Sequence, residues 1–228
     1  MIQNVALIVF DLDGTIADTA PDIRASLNSA LSAWGLSPYS LEDVKRFIGN
    51  GARVLAGRAL AGRAAELRVR GETDEVDASN LLDGFFTDYM TFYNTNDNRL
   101  TALYEGVLEF LKETTVPLAL YTNKPGAPTM RLLDHFHITS YFAAIYHADN
   151  VSRLKPDPAG LLEIMHALDV HSRNVLMVGD GLHDIAVARA AGVRSVGLLQ
   201  GNTPEEEMRR MNPDWVATSF VDFVNLLQ

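Results

Sequence analysis

The sequence has no cysteine, fewer basic than acidic residues and no long apolar run. Because cysteine is absent from all 228 residues, disulfides, zinc–thiolate sites and thiol nucleophiles are excluded. Nineteen Lys and Arg against 29 Asp and Glu give a net charge of −10, which argues against nucleic acid and anionic membranes as partners. No stretch approaches the ~20 apolar residues of a membrane-spanning helix. The apolar run at the N-terminus lacks the basic segment that precedes it in a signal peptide. We therefore expect a soluble, cytoplasmic protein, and further a monomer or homodimer.

Short apolar runs alternate with helix-length segments along most of the chain. Five runs of Val, Ile, Leu and Ala without polar alternation are typical of buried strands: residues 4–10, 117–123, 143–148, 174–180 and 194–199. Helical patterns lie between and after them, at residues 106–114, 128–136, 158–168 and 182–191. This alternation predicts an α/β fold, a Rossmann-like parallel sheet flanked by helices.

One region departs from this alternation, since residues 18–88 show helical patterns and no convincing strand. Ser40 and Asp43 resemble a helix-capping pair within it. Residues 68–79, the most polar stretch, are typical of a surface loop. The sequence therefore predicts a helical cap domain, residues 17–88, inserted after the first strand of an α/β catalytic core formed by residues 1–16 and 89–228.

Polar side chains follow the predicted strands where parallel sheets bind their ligands, beyond the carboxyl ends. They are Asp11 and Asp13 after the first strand, Thr122 and Asn123 after the second, Lys155 in a later loop, and Asp180 and Asp184 after the fourth. Each has an ordinary explanation when taken alone; Asp13-Gly14, for example, is a common turn dipeptide. Their arrival in order, each after a strand, indicates a single site.

The residue types at this edge suit a phosphate ester and a hard cation. Clustered Asp side chains repel one another unless a cation lies among them, and ligands that are all oxygen select Mg²⁺ over zinc. The cation neutralises the nucleophile and a phosphate oxygen together. Lys155 adds a second positive charge, and the Thr122 hydroxyl and Asn123 backbone add donors. These features explain how a chain of net charge −10 could bind a small phosphorylated metabolite.

Four segments resemble the motifs of the haloacid dehalogenase superfamily, in its phosphatase branch: DLDGT, YTNKP, RLKPDP and GDGLHD. The resemblance implies that Asp11 is the nucleophile that forms an aspartyl phosphate and that Asp13 is the acid/base. It implies Mg²⁺ ligands at Asp11, the Asp13 carbonyl and Asp180, with Asp184 a direct or water-mediated ligand. The implied phosphate-binding residues are Leu12, Thr122, Asn123 and Lys155. In this family the helical insertion is a mobile cap.

The predicted cap carries the weaker indications of substrate. Residues 47–55 resemble the cap segment of bacterial phosphoglycolate phosphatases. Gly49, Asn50 and Gly51 equally fit an ordinary helix–helix turn, although such a turn lets backbone N–H groups approach a small anion. With Arg53 they form the candidate specificity set, and 2-phosphoglycolate is the best single substrate candidate.

The sequence is also compatible with other functions. They include a phosphatase for a sugar phosphate or a nucleoside monophosphate, and a phosphosugar mutase, which returns the phosphoryl group to a bound sugar. A non-enzymatic phospho-acceptor signalling module is the remotest, because such modules are roughly half this length and have no cap.

Overall fold

The computed structural model describes residues 1–69 and 78–228, in two compact units. The α/β unit contains Met1–Asp18 and Ala102–Gln228, and the helical unit contains Thr19–Thr101. Most of the polar segment predicted to be a surface loop, residues 70–77, lies outside the described residues.

The α/β unit is built on a parallel six-stranded sheet. Its strands are β1 (Leu7–Phe10), β4 (Leu118–Tyr121), β5 (Ala144–Tyr146), β6 (Val175–Gly179), β7 (Arg194–Leu198) and β8 (Trp215–Ala217). They lie in the order β5-β4-β1-β6-β7-β8. A separate antiparallel ribbon pairs β2 (Ala17–Asp18) with β3 (Ala102–Leu103). The helices of this unit are α6 (Val107–Glu113), α7 (Gly126–His135), α8 (Ala159–Ala167), α9 (Leu182–Ala190), α10 (Glu205–Arg210) and α11 (Phe220–Leu227).

The central strand β1 shows why the strands of this sheet are continuously apolar. Alternate side chains of a strand point to opposite faces of the sheet. Ile8 and Phe10 join an apolar cluster with Phe110 of α6 and Phe223 of α11. Leu7 and Val9 join a second cluster that contains residues of α8 and α9. Because helices cover both faces, no position of β1 can be polar, and all four of its residues are fully buried.

The α/β fold predicted from the sequence is confirmed, and each of the five predicted strands contains one of the observed strands. One detail was wrong: β5 is half-buried rather than buried, because it lies at the edge of the sheet. Three strands were not predicted. The edge strand β8 has only three residues, and β2 and β3 have two each, too few for a hydrophobic period to show.

The helical unit contains α1 (Ala20–Ala33), α2 (Leu41–Phe47), α3 (Ala52–Ala61), α4 (Ala64–Val69) and α5 (Ala78–Thr95). Its apolar core joins residues of these helices, among them Leu27, Leu55 and Phe85. Helix α2 begins with the predicted capping pair, in which the Ser40 hydroxyl oxygen accepts from the Asp43 N–H. The predicted domain boundary between residues 88 and 89 falls inside α5, and the compact unit continues to Thr101.

Candidate active site

The predicted site residues of the core lie together beyond the carboxyl ends of β1, β4 and β6 and in the loop after β5. Strand β1 lies between β4 and β6, so three of these loops are neighbours by topology. Buried side chains at this edge are those of Asp11, Thr122, Asn123, Lys155, Asp180 and Asp184. Polar groups of this kind are costly to bury unless they are paired or bind a ligand.

Three buried carboxylates form the centre of this cluster. Asp11, Asp180 and Asp184 each offer one oxygen, and these oxygens lie within 4.8 Å of one another. Burial, together with the charge of Asp11, raises the pKa of Asp180 from 3.8 to about 8. Burial also raises the pKa of Asp11 to about 6, although the ammonium of Lys155 opposes the rise. The donor set is oxygen-only and carries more negative charge than its surroundings balance, so it fits a hard divalent cation.

Lys155 is the positive charge that the chain itself places in the cluster. Its Nζ donates to Asp11 Oδ1 at 2.7 Å, to Asp184 Oδ1 at 2.6 Å and to the carbonyl of Tyr121 at 2.9 Å. Burial would lower the pKa of Lys155, but the charges of Asp11 and Asp184 outweigh it and raise that pKa above its ordinary value. Lys155 is therefore a fixed cation beside the candidate nucleophile.

Asn123 fixes the loop that carries Lys155. Its Nδ2 donates to the Lys155 carbonyl at 3.0 Å, and its Oδ1 accepts from the Lys155 N–H at 2.9 Å. The Thr122 hydroxyl oxygen accepts from the Lys124 N–H at 3.2 Å. Leu12 is fully buried in the apolar core, so a role for it in phosphate binding falls to its main chain.

Asp180 accepts hydrogen bonds from two residues to which the sequence alone assigned no role. The Thr15 hydroxyl donates to Asp180 Oδ1 at 3.0 Å, and the Asn202 N–H donates to Oδ2 at 2.6 Å. Thr15 belongs to the DLDGT segment, and Asn202 follows β7. Asn202 also follows the carboxyl end of a strand, which is the signal by which the sequence could have indicated it. The backbone approaches the Asp180 carboxylate closely at Gly14, where φ is +89°, and at Gly201. Both positions require glycine, since a Cβ at either would overlap that carboxylate.

Asp184 lies in the first turn of α9, and its carboxylate accepts a hydrogen bond from a backbone N–H at the start of that helix. The Gly181 N–H donates to Asp184 Oδ2 at 2.9 Å, which caps the start of the helix. A Cβ on Gly179 would overlap this carboxylate, so the end of β6 requires glycine for the approach.

Asp13 forms an ion pair with Lys124, a residue to which the sequence alone assigned no role. Lys124 Nζ donates to Asp13 Oδ1 at 2.7 Å, and the two side chains are 3% and 13% exposed. The Asp13 carbonyl, a predicted metal ligand, lies 3.5 Å from Asn202 Nδ2. The site therefore holds two lysines, each paired with a different candidate catalytic carboxylate.

Comparison with known proteins identifies the family. The sequence profile of the haloacid dehalogenase-like hydrolases matches residues 8–198, which contain every carboxylate and lysine of the site. The chain belongs to this family. It is 34% identical over 228 residues to the phosphoglycolate phosphatase of Vibrio parahaemolyticus, covering 99% of this chain and 97% of that protein. It is 38% identical over 198 residues to phosphoglycolate phosphatase 1 of Pseudomonas aeruginosa, covering 86% and 70%.

A solved structure supports the assignment. The crystal structure of a predicted phosphoglycolate phosphatase from Haemophilus somnus superposes with a TM-score of 0.88 at 31% identity, covering all of both chains. The predictions of a haloacid dehalogenase-like hydrolase, of its fold and of phosphatase activity are confirmed. Among the described residues, no helix combines the length and apolar character needed to cross a membrane.

The candidate specificity residues lie in the helical unit. Gly49, Asn50 and Gly51 form the turn between α2 and α3, with φ of +112° at Gly49 and +87° at Gly51. Arg58 Nη2 donates to Asn50 Oδ1 at 2.9 Å, which fixes the turn. Arg53 is exposed and forms an ion pair with Asp83. Their roles toward a substrate stay predictions.

The raised pKa of Asp180 predicts how the stability of the metal-free haloacid dehalogenase-like hydrolase depends on pH. Between pH 3.8 and about pH 8 the folded protein keeps a proton on Asp180 that the unfolded chain releases. The stability that this difference contributes is fully present below pH 3.8 and is lost as the pH rises through about 8. In EDTA, the unfolding temperature of the wild type should therefore fall from pH 5.5 to pH 8.

Asp180→Asn should remove much of this fall, because an amide brings no charge into the cluster and can still accept from the Asn202 N–H. At pH 8 in EDTA we expect it to unfold at a higher temperature than the wild type, and to respond less to added Mg²⁺. Glu113→Gln, which alters an exposed carboxylate on α6, is the control. Circular dichroism in thermal scans measures each. A lower unfolding temperature for Asp180→Asn than for the wild type at pH 8 would contradict the prediction.

Proposed function

We propose that this hydrolase is a Mg²⁺-dependent phosphatase that cleaves 2-phosphoglycolate through an aspartyl phosphate on Asp11. The observation that carries the proposal is the buried group of Asp11, Asp180 and Asp184, with Lys155 against Asp11. The names of the relatives support the substrate, because a protein called phosphoglycolate phosphatase matches nearly the whole chain at 34% identity.

Asp11, Asp180, Asp184 and the Asp13 carbonyl are the groups that would hold Mg²⁺. The bound cation supplies positive charge to the Asp11 carboxylate and to the phosphate oxygens, which lowers the repulsion between two anions. Lys155 adds the chain's own positive charge and holds Asp11 Oδ1 in place. The Thr122 hydroxyl and Lys155 bind phosphoryl oxygens.

Transfer proceeds in two steps that share one acid. In the first, an oxygen of Asp11 bonds to phosphorus while the ester P–O bond breaks, and the leaving oxygen takes a proton from Asp13. In the second, water gives a proton to Asp13 and bonds to phosphorus while the bond from phosphorus to Asp11 breaks. Inorganic phosphate leaves, Asp11 is again a carboxylate and Asp13 is again an acid.

Phosphate release from a panel of esters tests the proposal. The purified protein is incubated with Mg²⁺ and 2-phosphoglycolate, glucose 6-phosphate, β-glucose 1-phosphate or a nucleoside monophosphate. We expect kcat/KM for 2-phosphoglycolate to exceed the others at least ~10-fold, about 1.4 kcal/mol of transition-state preference. A comparable or higher value for another ester would replace the substrate but keep the phosphatase. Isomerised sugar phosphate without free phosphate would instead indicate a mutase.

A further inference from the structure

Lys124 is a buried cation to which the proposed reaction assigns no role. Its side chain is 3% exposed and its Nζ lies 2.7 Å from Asp13 Oδ1. It comes two residues after Thr122, whose hydroxyl oxygen accepts from the Lys124 N–H. The Lys124 carbonyl in turn accepts from the Ala148 N–H at 3.0 Å, which ties this loop to the end of β5. Main-chain contacts on both sides therefore fix the base of the lysine.

Burial of a lysine at this position is costly. Taking an ammonium out of water costs several kcal/mol, and a flexible lysine ordinarily extends its charged end to solvent. A buried ion pair adds little net stability over an apolar pair of similar size. The exposed Lys112 on α6 shows the ordinary situation in the same chain. A buried Lys124 against Asp13 thus indicates a requirement of the site.

The two lysines of the site contact different carboxylates. Lys155 contacts Asp11 and Asp184, the nucleophile and a candidate metal ligand. Lys124 contacts Asp13, whose proton transfers require that its oxygen be aimed at the leaving group. An acid that must both deliver and recover a proton depends on position, since proton transfer requires hydrogen-bond reach to the reacting oxygen.

We propose that Lys124 is a positioning residue for Asp13, holding its Oδ1 so that the other carboxyl oxygen addresses the leaving oxygen and then the attacking water. This inference rests on the proposed function, because it assigns Lys124 a part in the acid/base role of Asp13. Lys124 itself exchanges no proton and forms no covalent bond in either step.

Substrates with different leaving groups distinguish a positioning role of Lys124 from a merely structural one. An alkyl phosphate releases a strongly basic alkoxide and needs the proton of Asp13, whereas p-nitrophenyl phosphate releases a weakly basic phenolate that departs without it. Because kcat/KM covers only the steps up to departure of the leaving group, it reports this difference free of the second step. Loss of Asp13 positioning should therefore reduce kcat/KM for alkyl esters selectively.

The experiment measures kcat/KM of Lys124→Met for three substrates: 2-phosphoglycolate, ethyl phosphate and p-nitrophenyl phosphate. For the two alkyl esters we expect a fall of about 10²-fold, the lower end of what a positioned general acid contributes. For p-nitrophenyl phosphate we expect a change within about 3-fold, since its first step needs no acid. Lys112→Met is the matched control and should change none of the three values. If Lys124→Met is not folded by circular dichroism, Lys124→Gln takes its place.

A double-mutant cycle tests whether Lys124 acts through Asp13. Asp13→Asn alone and Asp13→Asn with Lys124→Met should have kcat/KM values for 2-phosphoglycolate within about 3-fold of each other, because the second change removes support from an acid already lost. A further fall of about 10²-fold in the double variant would show that Lys124 acts independently of Asp13 and would overturn the inference.

Two other patterns of kcat/KM in Lys124→Met would each overturn the inference for a different reason. An equal fall for all three substrates overturns the inference in favour of a structural role. A fall for 2-phosphoglycolate alone, with ethyl phosphate unchanged, overturns it in favour of a contact between Lys124 and the substrate carboxylate. Failure of the proposed function looks different again: a wild type that hydrolyses none of the three, or an Asp13→Asn variant with full activity on the alkyl esters.

Discussion

Asp11→Asn should lower kcat/KM for 2-phosphoglycolate at least about 10⁴-fold, as loss of a covalent nucleophile does in other enzymes. The amide keeps nearly the same volume but is a far weaker nucleophile, and it withdraws a negative charge from the candidate metal site. Folding should be retained, because the variant also removes one of three crowded buried carboxylates. Phosphate release measured with Mg²⁺ in excess gives the result.

Trapping of the phosphorylated enzyme separates the nucleophile from a mere metal ligand. After incubation with p-nitrophenyl phosphate and an acid quench, mass spectrometry of peptides should find the phosphoryl group on Asp11 in Asp13→Asn. That variant still forms the intermediate from a good leaving group, but it lacks the base for the second step. Asp11→Asn should show no phosphopeptide. Retention of wild-type turnover in Asp11→Asn would refute the proposed mechanism, whatever the panel of esters shows.

The parallel sheet could be predicted because its central strands are covered by helices on both faces. Such strands contain no polar position, so β1, β4 and β6 are visible as continuous apolar runs. The end of the helical insertion was harder to predict. Helix α5 is a single 18-residue element whose Phe85, Tyr89 and Tyr93 all face the core of the helical unit. No break in its pattern marks a boundary, and the compact unit ends only after it, at Thr101.

Sequence order also indicated which carboxylates would meet, because consecutive strand ends of a parallel sheet share an edge. The partners of those carboxylates were not predictable in the same way. Lys124 and Asp13 are 111 positions apart, and Thr15 and Asp180 are 165 apart. Pairs so distant depend on side-chain direction at the end of each strand, which hydrophobic period does not encode. The sequence motifs indicated a role for Lys155 but none for Lys124, and the contact between Lys124 and Asp13 is visible only in the structure.

The balance of charge in the cluster predicts a large loss of stability when Lys155 is removed. Its side chain is 3% exposed, and its ammonium contacts both Asp11 and Asp184. Lys155→Met in EDTA should lower the free energy of unfolding by about 3–5 kcal/mol, the usual cost of leaving a buried charge without its partner. The loss should be larger at pH 8 than at pH 5.5, because Asp11, whose pKa is about 6 even beside Lys155, can take up a proton at the lower pH.

Urea unfolding in EDTA measures the change, with Lys112→Met as the control expected to stay within about 0.5 kcal/mol of the wild type. Adding Asp184→Asn to Lys155→Met should restore part of the lost stability, since it removes one of the two carboxylates that the lysine contacted. This rescue distinguishes electrostatics from packing. Methionine fills the space of the lysine stem in both variants, so a cavity would weaken them equally. Equal stability of the single and double variants would therefore mean that uncompensated charge is not the cause.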